Sequence, residues 1–255
     1  MQPPQNAYIH IPFCNSKCFY CAFVSTVNTK LELGYLIALL KEIDTNYQGN
    51  LLNTLYFGGG TPSILPLEHV KKIFNKFNLA ENAEVTFEVN PENATLEYFQ
   101  GLKNIGINRL SIGVQTFNDT ILEKIGRRHS AEQAKLAVKT AQQPGFDNIS
   151  LDFIYGLPNQ TLKDFENDLE IAKSLNIQHI SLYGLKIEEN SVFGKRVPNN
   201  LPDDDLQADM YLKATEVLNN FEHYEISNFA LKGYESKHNL NYWNNNQYYG
   251  FGCSA

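Results

Sequence analysis

Tyr8-Ile9-His10-Ile11-Pro12-Phe13-Cys14-Asn15-Ser16-Lys17-Cys18-Phe19-Tyr20-Cys21 is a short alternating run that leads into three cysteines within eight residues. The alternation predicts a strand ending near Ile11, with the CxxxCxxC spacing on the loop that leaves it. Only one other cysteine, Cys253, is present. That is no disulfide framework, and clustered thiols in a chain without a secretion signal point to metal ligation or redox chemistry. Structural zinc takes four ligands in two separated pairs, which a lone triple does not supply. His10, the nearest fourth ligand, lies in the apolar alternation, where a strand histidine is usually packed or hydrogen-bonded. Three thiolates on a tight loop can instead hold three irons of a 4Fe-4S cubane, leaving the fourth iron open to a small molecule. Zinc and three metal-free thiols are the alternatives left standing at this point.

Working outward from this stretch, apolar β-branched runs recur at Ala7–Ile11, Thr54–Phe57, Glu84–Val89, Arg109–Gly113, Ile149–Tyr155 and His179–Tyr183. Between them, Leu31–Ile43, Leu67–Phe77, Ala131–Gln142 and Leu162–Leu175 carry apolar residues at helical spacing. Repeated strand–helix alternation argues for parallel strands in βα units. Six units are too few to close an eight-stranded barrel, so the expected fold is α/β, an open, partial (β/α)6 TIM-like barrel. In such folds the chemistry gathers at the C-terminal ends of the strands, and the polar residues of interest fall there. Cys14–Cys21 follow the first strand and Gly58-Gly59-Gly60-Thr61-Pro62 the second. Glu88-Val89-Asn90-Pro91 ends the third, Gln115 follows the fourth and Asp152 lies in the fifth.

Three successive glycines are expected to leave backbone N–H groups open to a charged ligand; a tight turn into Pro62 is the simpler alternative. Glu88 in an apolar strand, and Asp152 flanked by apolar residues, each need a partner or an outward position. Arg127 reads either as a carboxylate partner or as a helix-end charge, Gln115 as a ligand contact or a loop cap. After Lys186 the pattern breaks into a polar loop at Asn199–Asp205, a helix near Leu206–Asn219 and an aromatic tail with His238-Asn239-Leu240-Asn241-Tyr242-Trp243.

The 255 residues are 43% hydrophobic, enough for one large domain or two modest ones. A formal net charge of -7, with no long Lys/Arg run, argues against a nucleic-acid surface. No apolar run is long enough to span a bilayer. Met1-Gln-Pro-Pro-Gln-Asn lacks a signal-peptide pattern, so a cytoplasmic protein is expected, meeting membranes only through its partners.

The Tyr8–Cys21 stretch resembles the signature of radical S-adenosylmethionine (SAM) proteins, and more narrowly of the oxygen-independent coproporphyrinogen III oxidase family. The resemblance implies a radical SAM fold with a 4Fe-4S cluster on Cys14, Cys18 and Cys21 and SAM on its open iron. It further implies SAM contacts from Tyr8, Tyr20, Gly59, Gly60, Thr61, Glu88 (to the ribose), Gln115, Arg127 and Asp152. His-Asn-x-x-Tyr-Trp resembles the haem-binding motif of the family's haem-chaperone (HemW-type) branch, which makes His238 a candidate ligand of haem carried as cargo. In isolation His238 reads as an exposed histidine among aromatic rings, able to ligate iron, or as a satisfied member of an aromatic cluster.

Two departures separate the chain from the decarboxylating oxidases. Phe23, after Ala22, stands where those enzymes have a further cysteine, and only seven residues precede Tyr8. Both favour a haem chaperone that delivers haem to haem-requiring respiratory proteins, with coproporphyrinogen oxidation as the alternative and haem or a porphyrinogen as the bound molecule. No residue is assigned a catalytic role. The expected organisation is a radical SAM core over residues 1–186 and, over 187–255, the start of a C-terminal region that resembles a motif cut short at Gly252-Cys253-Ser254-Ala255.

Overall fold

The computed structural model describes residues 3–255. Six strands run parallel: β1 (Asn6–Ile11), β2 (Leu51–Gly59), β3 (Asn78–Val89), β4 (Arg109–Gln115), β5 (Ile149–Tyr155) and β6 (His179–Gly184). They lie side by side in chain order. Consecutive parallel neighbours require a crossover each time, and α1 (Glu32–Asn46), α2 (Leu67–Phe74), α3 (Leu96–Ile105), α4 (Asp119–Lys124), α5 (Ala131–Gln142) and α6 (Leu162–Ser174) supply them.

Side chains alternate along each strand, and the outward set forms the hydrophobic core against the helices. Phe57, Phe87, Leu110, Ile112, Leu151, Phe153 and Ile180 are fully buried there. The inward set is polar: Asn6, Thr54, Glu84, Arg109, Ser111, Ser150, His179 and Ser181, all buried. The barrel is therefore lined by groups that must find partners inside it.

Residues after Lys186 finish the barrel. After α7 (Val192–Lys195) and α8 (Asp204–Val217), β7 (Glu222–His223) and β8 (Asn228–Ala230) extend the β6 edge antiparallel, and β9 (Tyr249–Phe251) pairs parallel with β1. The sheet order runs from β7 to β9 without joining its ends, so the barrel is open. Helix α9 (Lys237–Trp243) meets the lower interior. Glu84 of β3 caps it, accepting from the backbone N–H of Lys237 (3.1 Å) and His238 (3.0 Å) and from Ser236 Oγ (3.4 Å). Asn6 Nδ2 donates to Asn241 Oδ1 at 2.6 Å.

The expected strands all form, with β2 and β3 longer than their apolar runs. Helix α3, which the apolar periodicity did not mark out, contains Gly101, a poor helix former. A Cβ at Gly101 would lie 2.2 Å from Leu67 Cδ1, so the glycine lets α3 pack closely on α2. Glu84→Ala leaves three donors, two of them buried, without their acceptor. It is expected to cost about 1–3 kcal/mol in urea unfolding and to speed amide exchange at Lys237, His238 and Asn239 ahead of the strands.

Candidate functional site

The cysteine loop is closed at its neck. Cys14 N–H donates to Thr26 O (2.9 Å), and Thr26 N–H to Pro12 O (2.7 Å). His10, inward on β1, braces the loop through Nε2 to Val24 O (2.8 Å), while Tyr8 OH lies 3.2 Å from its Nδ1. Nε2 of His10 thus holds the loop, and Tyr8 orients the ring through Nδ1. From the far side, Phe19 N–H bonds Ile125 O at 3.0 Å.

The triple-glycine turn does something other than the sequence suggests. Gly59 N–H goes to Glu88 Oε2 (3.2 Å), Gly60 N–H to Ile11 O (2.8 Å) and Thr61 N–H to Phe13 O (2.8 Å), so these donors are already taken. The glycines are required for close approach. At Gly59 (φ +116°) a Cβ would fall 2.7 Å from His10, and at Gly60 2.8 Å from Phe13 O and 3.0 Å from Cys14 Sγ. The second strand's exit is pressed against the cysteine loop, and Thr61 Oγ1 donates toward Cys14 Sγ at 3.5 Å.

Below the loop lies a cavity of about 530 Å³. Cys14, Cys18, Cys21, Tyr20, Gly59, Gly60, Thr61, Glu88, Gln115, Arg127 and Asp152 all line it. Arg127 is held by Asn90 Oδ1 and Gly113 O, with Nη1 3.6 Å from Cys18 Sγ; it is no loose helix-end charge. Gln115 ends β4 at φ +68°, a conformation few side chains adopt. The turn after it is pinned by Asp168 of α6, which accepts from Thr116 Oγ1 and Phe117 N–H, both at 2.7 Å.

Glu88 is surrounded by protein yet faces the cavity. Burial, then the nearby charge of Asp152, push its carboxyl up to about 7, against the hydrogen bonds from Tyr56 OH (2.9 Å) and Gly59 N–H. Burial also raises Asp152, although Ser111 Oγ donates to it at 2.9 Å. Burial raises the Cys14 and Cys21 thiols, so they need a cationic partner to ionise.

Two expected contacts stand apart from the cavity. Tyr8 stacks on Tyr56 with ring centres 5.9 Å apart, outside the lining. His238 is not the exposed histidine that the aromatic tail suggests: it is 1% exposed. Its Nδ1 lies 2.6 Å from Thr54 Oγ1 and its Nε2 2.9 Å from Tyr242 OH. Burial, then Arg109, lower its pKa to about 3. Conversely, Tyr56, Asn90, Arg109, Ser111, Ser181, Tyr183 and Asn239 line the cavity without having been expected there. The alternation Arg109-x-Ser111-x-Gly113-x-Gln115, polar on one face of a strand, is the signal that marks part of this set.

A family model described as the Radical SAM superfamily matches residues 8–172. Proteins named haem chaperone HemW from Lactococcus lactis and Bacillus subtilis are 39% and 42% identical over 100% and 98% of this chain, which covers 70% of each. The chain belongs to the radical SAM superfamily, in its HemW branch. The solved structure of the Escherichia coli radical SAM enzyme coproporphyrinogen III oxidase (HemN) superposes with a TM-score of 0.87 at 25% identity, covering 99% of this chain and 64% of that one. A radical SAM α/β fold with an open, parallel-dominated barrel is thereby shown.

The superfamily implies a 4Fe-4S cluster and SAM, and the loop fits them. Among the described residues no three His, Cys, Asp or Glu side chains converge on one metal ion. In a cluster each cysteine takes its own iron, so no single-ion site is called for. The three thiols border one cavity beside a guanidinium that would offset thiolate charge. No helix among the described residues is long and apolar enough to cross a membrane.

Glu88 gives a test with a definite sign. Its folded pKa of about 7 lies above the ordinary 4.5, so its contribution to stability is complete below pH 4.5 and is lost as the pH rises through 7. In the ligand-free protein, stability relative to Glu88→Gln should fall across that window. A difference that stays flat in urea unfolding between pH 4.5 and 7.5 would contradict the buried carboxyl.

Proposed function

We propose that the chain is a haem chaperone: it holds a 4Fe-4S cluster on Cys14, Cys18 and Cys21, binds SAM in the cavity beneath, and passes haem to haem-requiring respiratory proteins in the cytoplasm. The observation that carries this reading is identity of 39–42% along essentially the whole chain to proteins named haem chaperones. When bound, the cluster and SAM supply one-electron chemistry that no side chain provides. In this reading residues 1–186 are the SAM-binding core, and 187–255 meet the cargo.

The side chains divide the work of holding SAM. Tyr20, Gly59, Gly60, Thr61 and Gln115 shape the cavity wall below the cysteines. Glu88 and Asp152 offer acceptors to hydroxyl groups, Glu88 to the ribose, while Arg127 offers a guanidinium next to Cys18 for a carboxylate. Tyr8 acts from behind, through Tyr56, whose hydroxyl donates to Glu88.

Haem would reach His238 along α9 and the start of β9. Tyr242, Trp243 and Tyr248 form an exposed aromatic patch able to cover a flat macrocycle. His238 ligates iron only after its Nε2 hydrogen bond to Tyr242 opens, so Tyr242 acts as the catch on the ligand. The second reading, oxidation of coproporphyrinogen III, is favoured by the close superposition on the E. coli oxidase.

Three variants separate the parts. Cys18→Ala should lose the brown cluster absorbance near 400 nm. His238→Ala should keep that absorbance and lose saturable haem binding. Tyr242→Phe frees Nε2 and should bind haem more tightly, by about the worth of one hydrogen bond, roughly 1 kcal/mol or fivefold. Stoichiometric haem binding by His238→Ala would remove this residue from the site.

A further inference from the structure

At the floor of the cavity lies a charge for which SAM held at the cysteine loop gives no use. Arg109 is the first residue of β4, faces inward and lines the cavity. It is only 2% exposed, and its Nε is buried without a hydrogen-bond partner. None of its side-chain N–H groups meets an acceptor among the described residues. The two carboxylates near enough to feel its charge are occupied elsewhere: Glu88 by Tyr56 and Gly59, Asp152 by Ser111. A guanidinium taken out of water with its donors unmet is costly. Such a group at a cavity wall is made good by an anion that enters.

The surroundings narrow the kind of anion. A guanidinium is a planar fork that matches a carboxylate two bonds to two. A dianion such as phosphate would face Glu88 and Asp152 across the same space, whereas one carboxylate balances one fork. Depth separates this point from the cysteine loop. Arg109 opens the seven-residue β4, whereas Gln115 ends it on the side of the cysteine loop. The floor is completed by Tyr56 and by Asn239 of α9, the helix that also carries His238.

We propose that Arg109 is a carboxylate-binding residue at the floor of the barrel, pairing through its planar fork with one acid group of the molecule that enters the cavity. The proposal rests on reading the cavity as the site of SAM, with haem as cargo. The source of the acid group is haem, through a propionate, because the amino-acid carboxylate of SAM is assigned to Arg127 beside Cys18.

The test is equilibrium binding of SAM, decarboxylated SAM, haem and haem dimethyl ester to cluster-reconstituted wild-type, Arg109→Lys and Arg109→Gln proteins. Arg109→Lys keeps the charge, and with it the fold, but lacks the fork. Wild type should prefer haem over its dimethyl ester. In both variants that preference should fall about tenfold or more, with binding of the ester unchanged. The SAM pair is the control, and a response confined to it would overturn the assignment of Arg109 to the cargo. Preferences equal to wild type in both pairs, in either folded variant, would overturn the role of Arg109 while leaving the wider reading intact. Wild-type protein that binds none of the four probes would overturn both.

Discussion

Everything at the top of this barrel depends on how closely the exit of β2 lies against the cysteine loop. Two backbone hydrogen bonds, from Gly60 and Thr61 to Ile11 and Phe13, make that contact, and a side chain at residue 60 would collide with Phe13 O and Cys14 Sγ. The neck at Cys14 and Thr26 and the brace from His10 then leave the loop little freedom to move its sulfurs. A cluster bound by only three thiolates needs such a loop, because ordering it at the moment of binding would cost backbone entropy.

The second constraint is the polar lining. An open barrel whose inner face holds Glu84, Glu88, Arg109, Asp152, His179 and His238 must satisfy each group or leave it for a ligand. The lower layer is satisfied from within. Glu84 caps α9, His238 bonds Thr54 and Tyr242, and His179 Nδ1 lies 2.8 Å from Ser150 Oγ. The upper layer is satisfied only in part, and the cavity lies there.

Much of this was legible in the residues. Outward faces such as Leu110, Ile112 and Val114 carry the strand alternation, and β5 falls where its apolar run does, at Ile149–Tyr155. The cysteines, Glu88, Gln115 and Asp152 converge as their places after or within strands imply, and Arg127, which follows α4, joins them. What escaped shares one physical cause: burial here is not signalled by hydrophobicity. His238 reads as an exposed histidine among aromatic residues, yet its side chain turns inward to Thr54 of β2. Arg109 bounds the fourth apolar run in the sequence, and nothing in that run marks it as buried. The glycines reveal a need for space, but not that their N–H groups would be consumed by β1, the cysteine loop and Glu88. Gly101 hid α3 because helix propensity registers its cost and not the helix contact it permits.

In the proposed function this cavity serves a haem-carrying protein and not a decarboxylase. Mass spectrometry of an anaerobic mixture of cluster-reconstituted protein, reductant, SAM and coproporphyrinogen III separates the two. The tetrapyrrole should be recovered unchanged by protein that retains its cluster and binds haem. A tetrapyrrole that has lost two carboxyl groups, formed together with deoxyadenosine, would contradict that function.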